Sequence, residues 1–190
     1  MQNNFRIIVV NGFPRSGKDT FVEAARQAWE EKGGVTHVYS SIQPVFDIFV
    51  NTGLIPSENR NKLTNADRCA LAEAGASLEK HYGFKTNSCL AKVEDIAYKA
   101  ELKPILLFVF IREPELIKAF SNKVKDLGFT IPIYSVFISR KDALTNIDNP
   151  SDQNVLNYNY SFTLTNNDSL EQFKYVTKML ITGMSLSVGI

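Results

Sequence analysis

The residues Gly12-Phe13-Pro14-Arg15-Ser16-Gly17-Lys18-Asp19-Thr20 have the types and spacing of a phosphate cradle. The two glycines let the backbone curl so that successive N–H groups turn toward one point. Lys18 brings a full positive charge there, and a helix opening at that place adds the positive end of its dipole. The pattern Gly-x-x-x-x-Gly-Lys ordinarily continues with Ser or Thr, whose hydroxyl ligates magnesium. Here Asp19 stands in that place. A carboxylate can also hold a hard cation, directly or through water. It adds negative charge beside phosphate, however, and so calls for magnesium or an arginine close by. Thr20, the next residue, can hydrogen-bond a phosphate. Gly12, Pro14, Arg15, Ser16, Gly17, Lys18, Asp19 and Thr20 are therefore the expected contacts for ATP, with Mg2+ as the accompanying ion.

A cradle of this kind needs a buried strand before it and a helix after it. Phe5–Val10 is a continuous apolar run, which predicts a strand buried on both faces. From Lys18 to Lys32, Phe21, Val22, Ala25, Ala28 and Trp29 recur at helical spacing, and Gly33-Gly34 ends the helix. Val35–Tyr39 reads as a second strand. Ser40-Ser41 can cap a helix with Ile42, Val45, Phe46 and Phe49 inside. Asn65–Tyr82 and about Ser88–Ala100 read as two more helices, the latter with Leu90, Val93, Ala97 and Ala100 on one side. Pro104 opens "PILLFVFI", a central strand. Pro114 then starts a helix lined by Ile117, Phe120, Val124 and Leu127. Residues 131–138 and 160–164 give the fourth and fifth strands, and 139–157 are polar and irregular. Asp168 with Glu171 three residues on reads as the cap of a last helix with Leu170, Phe173, Val176 and Leu180 inside. Strands alternating with helices predict an α/β fold: a five-stranded parallel sheet with helices on both faces, ligands sitting beyond the carboxyl ends of the strands.

The chain has 190 residues, 44% of them hydrophobic and 22% charged, with a formal net charge of +1. That fits one domain, 1–190, and gives no sign of a nucleic-acid-binding or membrane-surface protein. The N-terminal apolar run is too short for a signal peptide, which points to a cytoplasmic protein. Cys69 and Cys89 lie outside any metal-binding spacing and read as structural thiols. His37 and His81 read as structural or solvated. The oligomeric state is not legible.

Gly12-x-Pro14-x-x-Gly17-Lys18-x-Thr20 resembles the loop of adenylate-kinase-like nucleoside monophosphate kinases, which read GxPGxGKGT. The stretch Arg15–Thr20, RSGKDT, is more similar to the deoxynucleoside monophosphate kinases of large bacteriophages. Animal-type phosphomevalonate kinases also carry a GKD loop. The resemblance is dense over the loop and sparse elsewhere. It implies the P-loop NTPase fold and phosphoryl transfer from ATP to a (deoxy)nucleoside monophosphate. It also implies that the segment after the last strand lies near the adenine ring, making Asn166 and Asn167 neighbours of the base. Residues 41–100 would form the helical acceptor-binding region and 139–157 a short lid.

An acceptor that is itself a phosphate needs arginines, because the planar guanidinium grips it at two points. Arg112 follows the central strand at its ligand edge. Arg60 and Arg68 in the acceptor region are candidates for the acceptor's phosphate, and Ser40 and Ser41 can touch the acceptor too. Arg15 and Arg140 could clamp the transferred group. Glu113 occupies a place where P-loop proteins often put an acid for magnesium, although the family more often has Asp at the strand end. Whether Asp19 or Glu113 serves the metal stays open, as does helix capping by Glu113. With Arg140 and Lys141 as its cations, the lid is poorer in charge than adenylate-kinase lids. A phosphomevalonate-type kinase and a non-catalytic nucleotide-binding domain remain as alternatives.

Overall fold

The structure, a computed structural model, describes residues 5–55, 62–99, 103–128, 130–143 and 154–186. Its strands are β1 (Phe5–Gly12), β2 (Val35–Ser40), β3 (Ile105–Phe110), β4 (Ile133–Ser139) and β5 (Phe162–Thr165). They form one sheet in the order β2-β3-β1-β4-β5, and every pairing is parallel. The helices are α1 (Lys18–Glu30), α2 (Gln43–Asn51), α3 (Asn65–Tyr82), α4 (Phe84–Lys99), α5 (Pro114–Asp126) and α6 (Leu170–Leu186).

Side chains alternate across a strand, so the unbroken apolar runs of β1 and β3 must bury both faces. Phe5, Ile7 and Val9 of β1 face the same way as Ile105, Leu107 and Val109 of β3. They pack on Cys89, Val93 and Ile96 of α4 and on Ile117, Phe120 and Val124 of α5. Ile8 and Val10 point to the opposite face with Leu106, Phe108, Val136 and Ile138. There they meet Phe21, Ala25 and Trp29 of α1 and Phe173 and Ile181 of α6. Each large side chain so buried contributes about 1.5–3 kcal/mol of transfer free energy. The Trp29 indole, fully buried, donates to the Pro104 carbonyl at 3.2 Å. Val45, Phe46, Ile55 and Leu71 form a separate small core under α2 and α3.

The two faces are reached by different helices, and that defines the place for a ligand. The chain leaves β1 for α1 on one face, while it leaves β3, the neighbour of β1, for α5 on the other. Their carboxyl ends therefore flank a crevice with no helix packed across it, the switch point of such a sheet.

Several local expectations are corrected. The residue before α2 is Ile42, and no side chain caps that helix, so Ser40 and Ser41 do not. The α4 helix starts at Phe84 rather than near Ser88. Gly83 alone separates it from α3, and Glu79 of α3 accepts from the backbone N–H of Lys85 (2.8 Å) and Thr86 (3.0 Å). Those donors are orphans of the first helical turn, so α3 supplies the cap that the sequence of α4 lacks. Ser169, not Asp168, heads α6: its hydroxyl accepts from the Gln172 N–H at 3.2 Å. The buried stripe of α6 is Phe173, Thr177, Ile181 and Met184, while Leu170 and Val176 are exposed. Apolar residues occur nearly all round this helix, so its phase is chosen by packing on α1. Leu127 lies past the end of α5 and is also exposed. Arg60, Ala100 and residues 144–153 of the expected lid lie outside the described residues.

Cys69 is exposed and Cys89 fully buried, where burial pushes the thiol from its ordinary 9.0 up to about 12. The native protein should present one reactive thiol to a disulfide reagent, and the second only after unfolding. Because the folded thiol resists ionisation, its contribution to stability is intact below pH 9 and declines as the pH rises from there toward 12. Counting thiols with and without denaturant, and urea midpoints across that range, check both points.

Candidate functional site

The loop after β1 is curled as its glycines predict. Gly12 ends the strand at φ 146°, and a Cβ there would lie 2.4 Å from the Ile138 carbonyl oxygen of β4 and 2.7 Å from Ser16 Oγ. Gly17 heads α1 at φ 102°, where a Cβ would lie 2.3 Å from Asn166 Nδ2. Only glycine meets both the backbone angle and the close approach at these two positions. Arg15 between them also has a positive φ, 62°. The Ser16 N–H donates to Phe13 O at 3.2 Å and closes the turn. Lys18 Nζ reaches back across the loop to the carbonyls of Gly12 and Phe13, 2.7 Å from each. Its ammonium is thus held at the mouth of the cradle beside the N-terminus of α1. Ser16 Oγ is buried in the loop and has no hydrogen-bond partner among the described residues, which suits a loop that completes its bonding with a ligand. With this cradle set between a central parallel strand and the helix that follows it, the chain has the P-loop NTPase fold.

Beside the loop, toward the ends of β4 and β5, is a cavity of about 440 Å³ lined by Arg15, Asp19, Thr20, Arg140, Asn166 and Asn167 among others. Residues far apart in the chain therefore line one cavity. Arg15, Arg140 and Lys141 balance the negative charge of Asp19, Asp142 and Asp168 around it. The two asparagines carry structural bonds there. Asn166 Nδ2 donates to Ser16 O at 2.9 Å and pins the loop, and the Asn166 N–H donates to Ser139 O at 2.8 Å. Asn167 Oδ1 accepts from the Lys141 N–H at 2.8 Å and ties the end of β4 to the start of α6.

The expected acceptor residues lie apart from this cavity. Ser40 ends β2, and the N–H of Ser41, a buried residue, donates to Phe110 O at 3.0 Å. Arg112 is half-buried just beyond β3, and Arg68 is exposed in the first turns of α3. Glu113 holds the position before α5 but makes no capping bond with its side chain. Its carboxylate instead pairs with Lys85 Nζ at 2.7 Å, and Lys85 is 2% exposed. Asp19 and Thr20 line the cavity at the loop, and Glu113 is not among its lining residues. Among the described residues, no cluster of three or more His, Cys, Asp or Glu side chains could hold a metal by itself.

His37 is held below its ordinary pKa by burial and by Lys92, with Asp95 opposing, and takes no part in the site. Lys85, Glu79 and Asn11 escaped the sequence reading. A lysine and a glutamate on a polar helix look like solvated residues. Asn11, the only polar side chain among the last residues of β1 before the glycine, was the one visible signal.

Gly12→Ala is expected to cost about 2 kcal/mol or more, since the neighbour it meets is backbone and cannot yield. Asn166→Ala should cost about 1 kcal/mol yet weaken ATP binding roughly tenfold by releasing the loop. Urea titration and calorimetry with ATP separate the two effects.

No protein-family profile matches the chain, and no curated protein matches it. Among solved structures it is similar to the Mycobacterium tuberculosis APS kinase CysC in complex with AMPPNP and APS, with 16% identity over 93% of this chain and 98% of that one and a TM-score of 0.48. It is also similar to the Deinococcus radiodurans tunicamycin resistance protein, with 12% identity over 93% and 96% and a TM-score of 0.49. A third is a de novo designed protein of P-loop NTPase fold, with 13% identity over 98% and 94% and a TM-score of 0.47. The fold assignment rests on the strand order and the loop rather than on these likenesses.

Proposed function

We propose that the chain is an ATP-dependent phosphotransferase whose acceptor is a (deoxy)nucleoside monophosphate. The observation that carries this is the crevice between β1 and β3. A phosphate cradle with its lysine and a polar cavity stands on one side, and Arg112 at the end of β3 stands on the other. ATP would lie with its phosphates in the loop of Gly12–Thr20 and its base toward Asn166 and Asn167. Ser40, Ser41, Arg68 and Arg112 would receive the acceptor, with Arg60 a further candidate.

Such a reaction needs no general base, because an acceptor phosphate oxygen is already anionic at neutral pH. That oxygen forms a bond to the γ-phosphorus while the bond from phosphorus to the β,γ-bridging oxygen breaks. The electron pair leaves with ADP, and the acceptor becomes a diphosphate. The work of the protein is positioning and charge neutralisation. Lys18, Arg15 and Arg140 supply positive charge on the ATP side, and Arg112 supplies it on the acceptor side. Magnesium, held by Asp19 and Thr20, would neutralise phosphate oxygens when bound.

One observation favours a second reading, a nucleotide-binding domain with little turnover: the pairing of Glu113 with Lys85 removes one acid from the expected metal set. A phosphomevalonate-type acceptor is the remaining enzymatic alternative.

ADP release followed with ATP, magnesium and, as acceptors, a panel of ribo- and deoxynucleoside monophosphates and phosphomevalonate decides among these. Stimulation by one or more nucleotides is expected, with loss on chelation of magnesium. Tight ATP binding without any acceptor stimulation would sink the phosphotransferase. Lys18→Ala should abolish ATP binding. Arg112→Ala should lower acceptor-stimulated turnover by about 10²-fold while ATP affinity stays within about twofold.

A further inference from the structure

The polar contacts at the foot of the phosphate loop form a chain that the phosphoryl-transfer scheme does not use. Asn11 is the last residue of β1 before Gly12 and is fully buried. Its Nδ2 donates to Arg112 O and to Tyr160 Oη, each at 2.8 Å, and its Oδ1 accepts from the Gly12 N–H at 2.8 Å. Tyr160 Oη in turn donates to Val155 O at 2.7 Å. Both amide hydrogens and the amide oxygen of Asn11 are thus matched, as a buried amide requires. The Tyr160 ring is seated between Phe137, at 5.1 Å between centroids, and Tyr158, at 4.9 Å. Burial raises its phenol pKa well above the ordinary 10.0, so the hydroxyl keeps the proton it donates.

Three segments are joined through this amide and the Tyr160 hydroxyl. Gly12 opens the phosphate loop, Arg112 opens the acceptor side of the crevice, and Val155 belongs to the short turn before β5. An apolar side chain in Asn11's place would satisfy the core but join none of them. We propose that Asn11 and Tyr160 are positioning residues that couple the phosphate loop to Arg112 and to the Val155 turn. A nucleotide in the loop is thereby felt at both other segments. The proposal deepens the phosphotransferase reading and rests on it.

Hydrogen exchange on the full chain with and without ADP tests this coupling. In the wild type, ADP is expected to slow exchange of the amides from Val155 to Tyr160 by about tenfold, although none of them belongs to the loop. Tyr160→Phe keeps the ring in place and removes both hydroxyl bonds. It should abolish that slowing while the ADP Kd changes by less than about threefold. Asn11→Ala should abolish the slowing too, while also freeing the Gly12 N–H and so weakening ADP binding. In the ADP-dependent difference the double variant should be no worse than the stronger single one, since both act through one chain of bonds. A merely structural role would raise exchange throughout the molecule and leave the ADP-dependent difference in place. If Tyr160→Phe binds ADP and still shows the full slowing, the coupling is overturned. If the wild type binds no ADP, the phosphotransferase reading fails and takes the coupling with it.

Discussion

A loop that turns its N–H groups inward gains few bonds of its own and must be held by what surrounds it. That constraint governs this molecule. The cradle is held at Gly12 by strand pairing with Ile138 of β4, at Ser16 by the Asn166 amide, and at its root by Asn11. Each grip comes from a different part of the chain. The loop is therefore shaped before any ligand arrives, and binding does not bear the whole cost of ordering it.

The same contacts explain why the sheet has the order it has. In the proposed reaction a second ligand approaches the cradle from the adjoining strand. Placing β3 next to β1, with α1 and α5 on opposite faces, opens the crevice where the loop and Arg112 stand side by side. The apolar faces of β1 and β3 are filled from both sides, which makes these strands the rigid base of the site. The helices α2 and α3, on their own smaller core, attach beside it. Lys85 and Glu113 form a partly buried link from α4 to the start of α5. Breaking such a pair leaves a charge without its partner in a poorly solvated place.

Much of this was legible in the residues. The strands, the helix α1 and the loop follow from apolar periodicity and from glycines at fixed offsets, and they came out within one or two residues. The helix starts were less legible where the cap comes from elsewhere. Glu79 caps α4 from another helix, and no local pattern in Phe84–Ser88 announces it. In α6, Phe173 and Leu180 face the core as expected, whereas Leu170 and Val176 are exposed and packing on α1 sets the buried stripe at Phe173, Thr177, Ile181 and Met184. Asn166 and Asn167 were placed beside the cavity by resemblance. The sequence held no hint that their amides clamp the loop and the end of β4.

By itself, then, the order of residues determined the phosphate cradle, the alternation of strand and helix, and which strands are buried on both faces. These depend on spacing between near neighbours and on side-chain chemistry. The tertiary structure alone decided that β1 lies between β3 and β4 and that Arg15, Arg140 and Asn166 share one cavity. It also decided that Asn11, Arg112 and Tyr160 meet on a single amide. Those facts are contacts between segments up to 150 residues apart. They come from the joint packing of whole elements, on which no local pattern of residues reports.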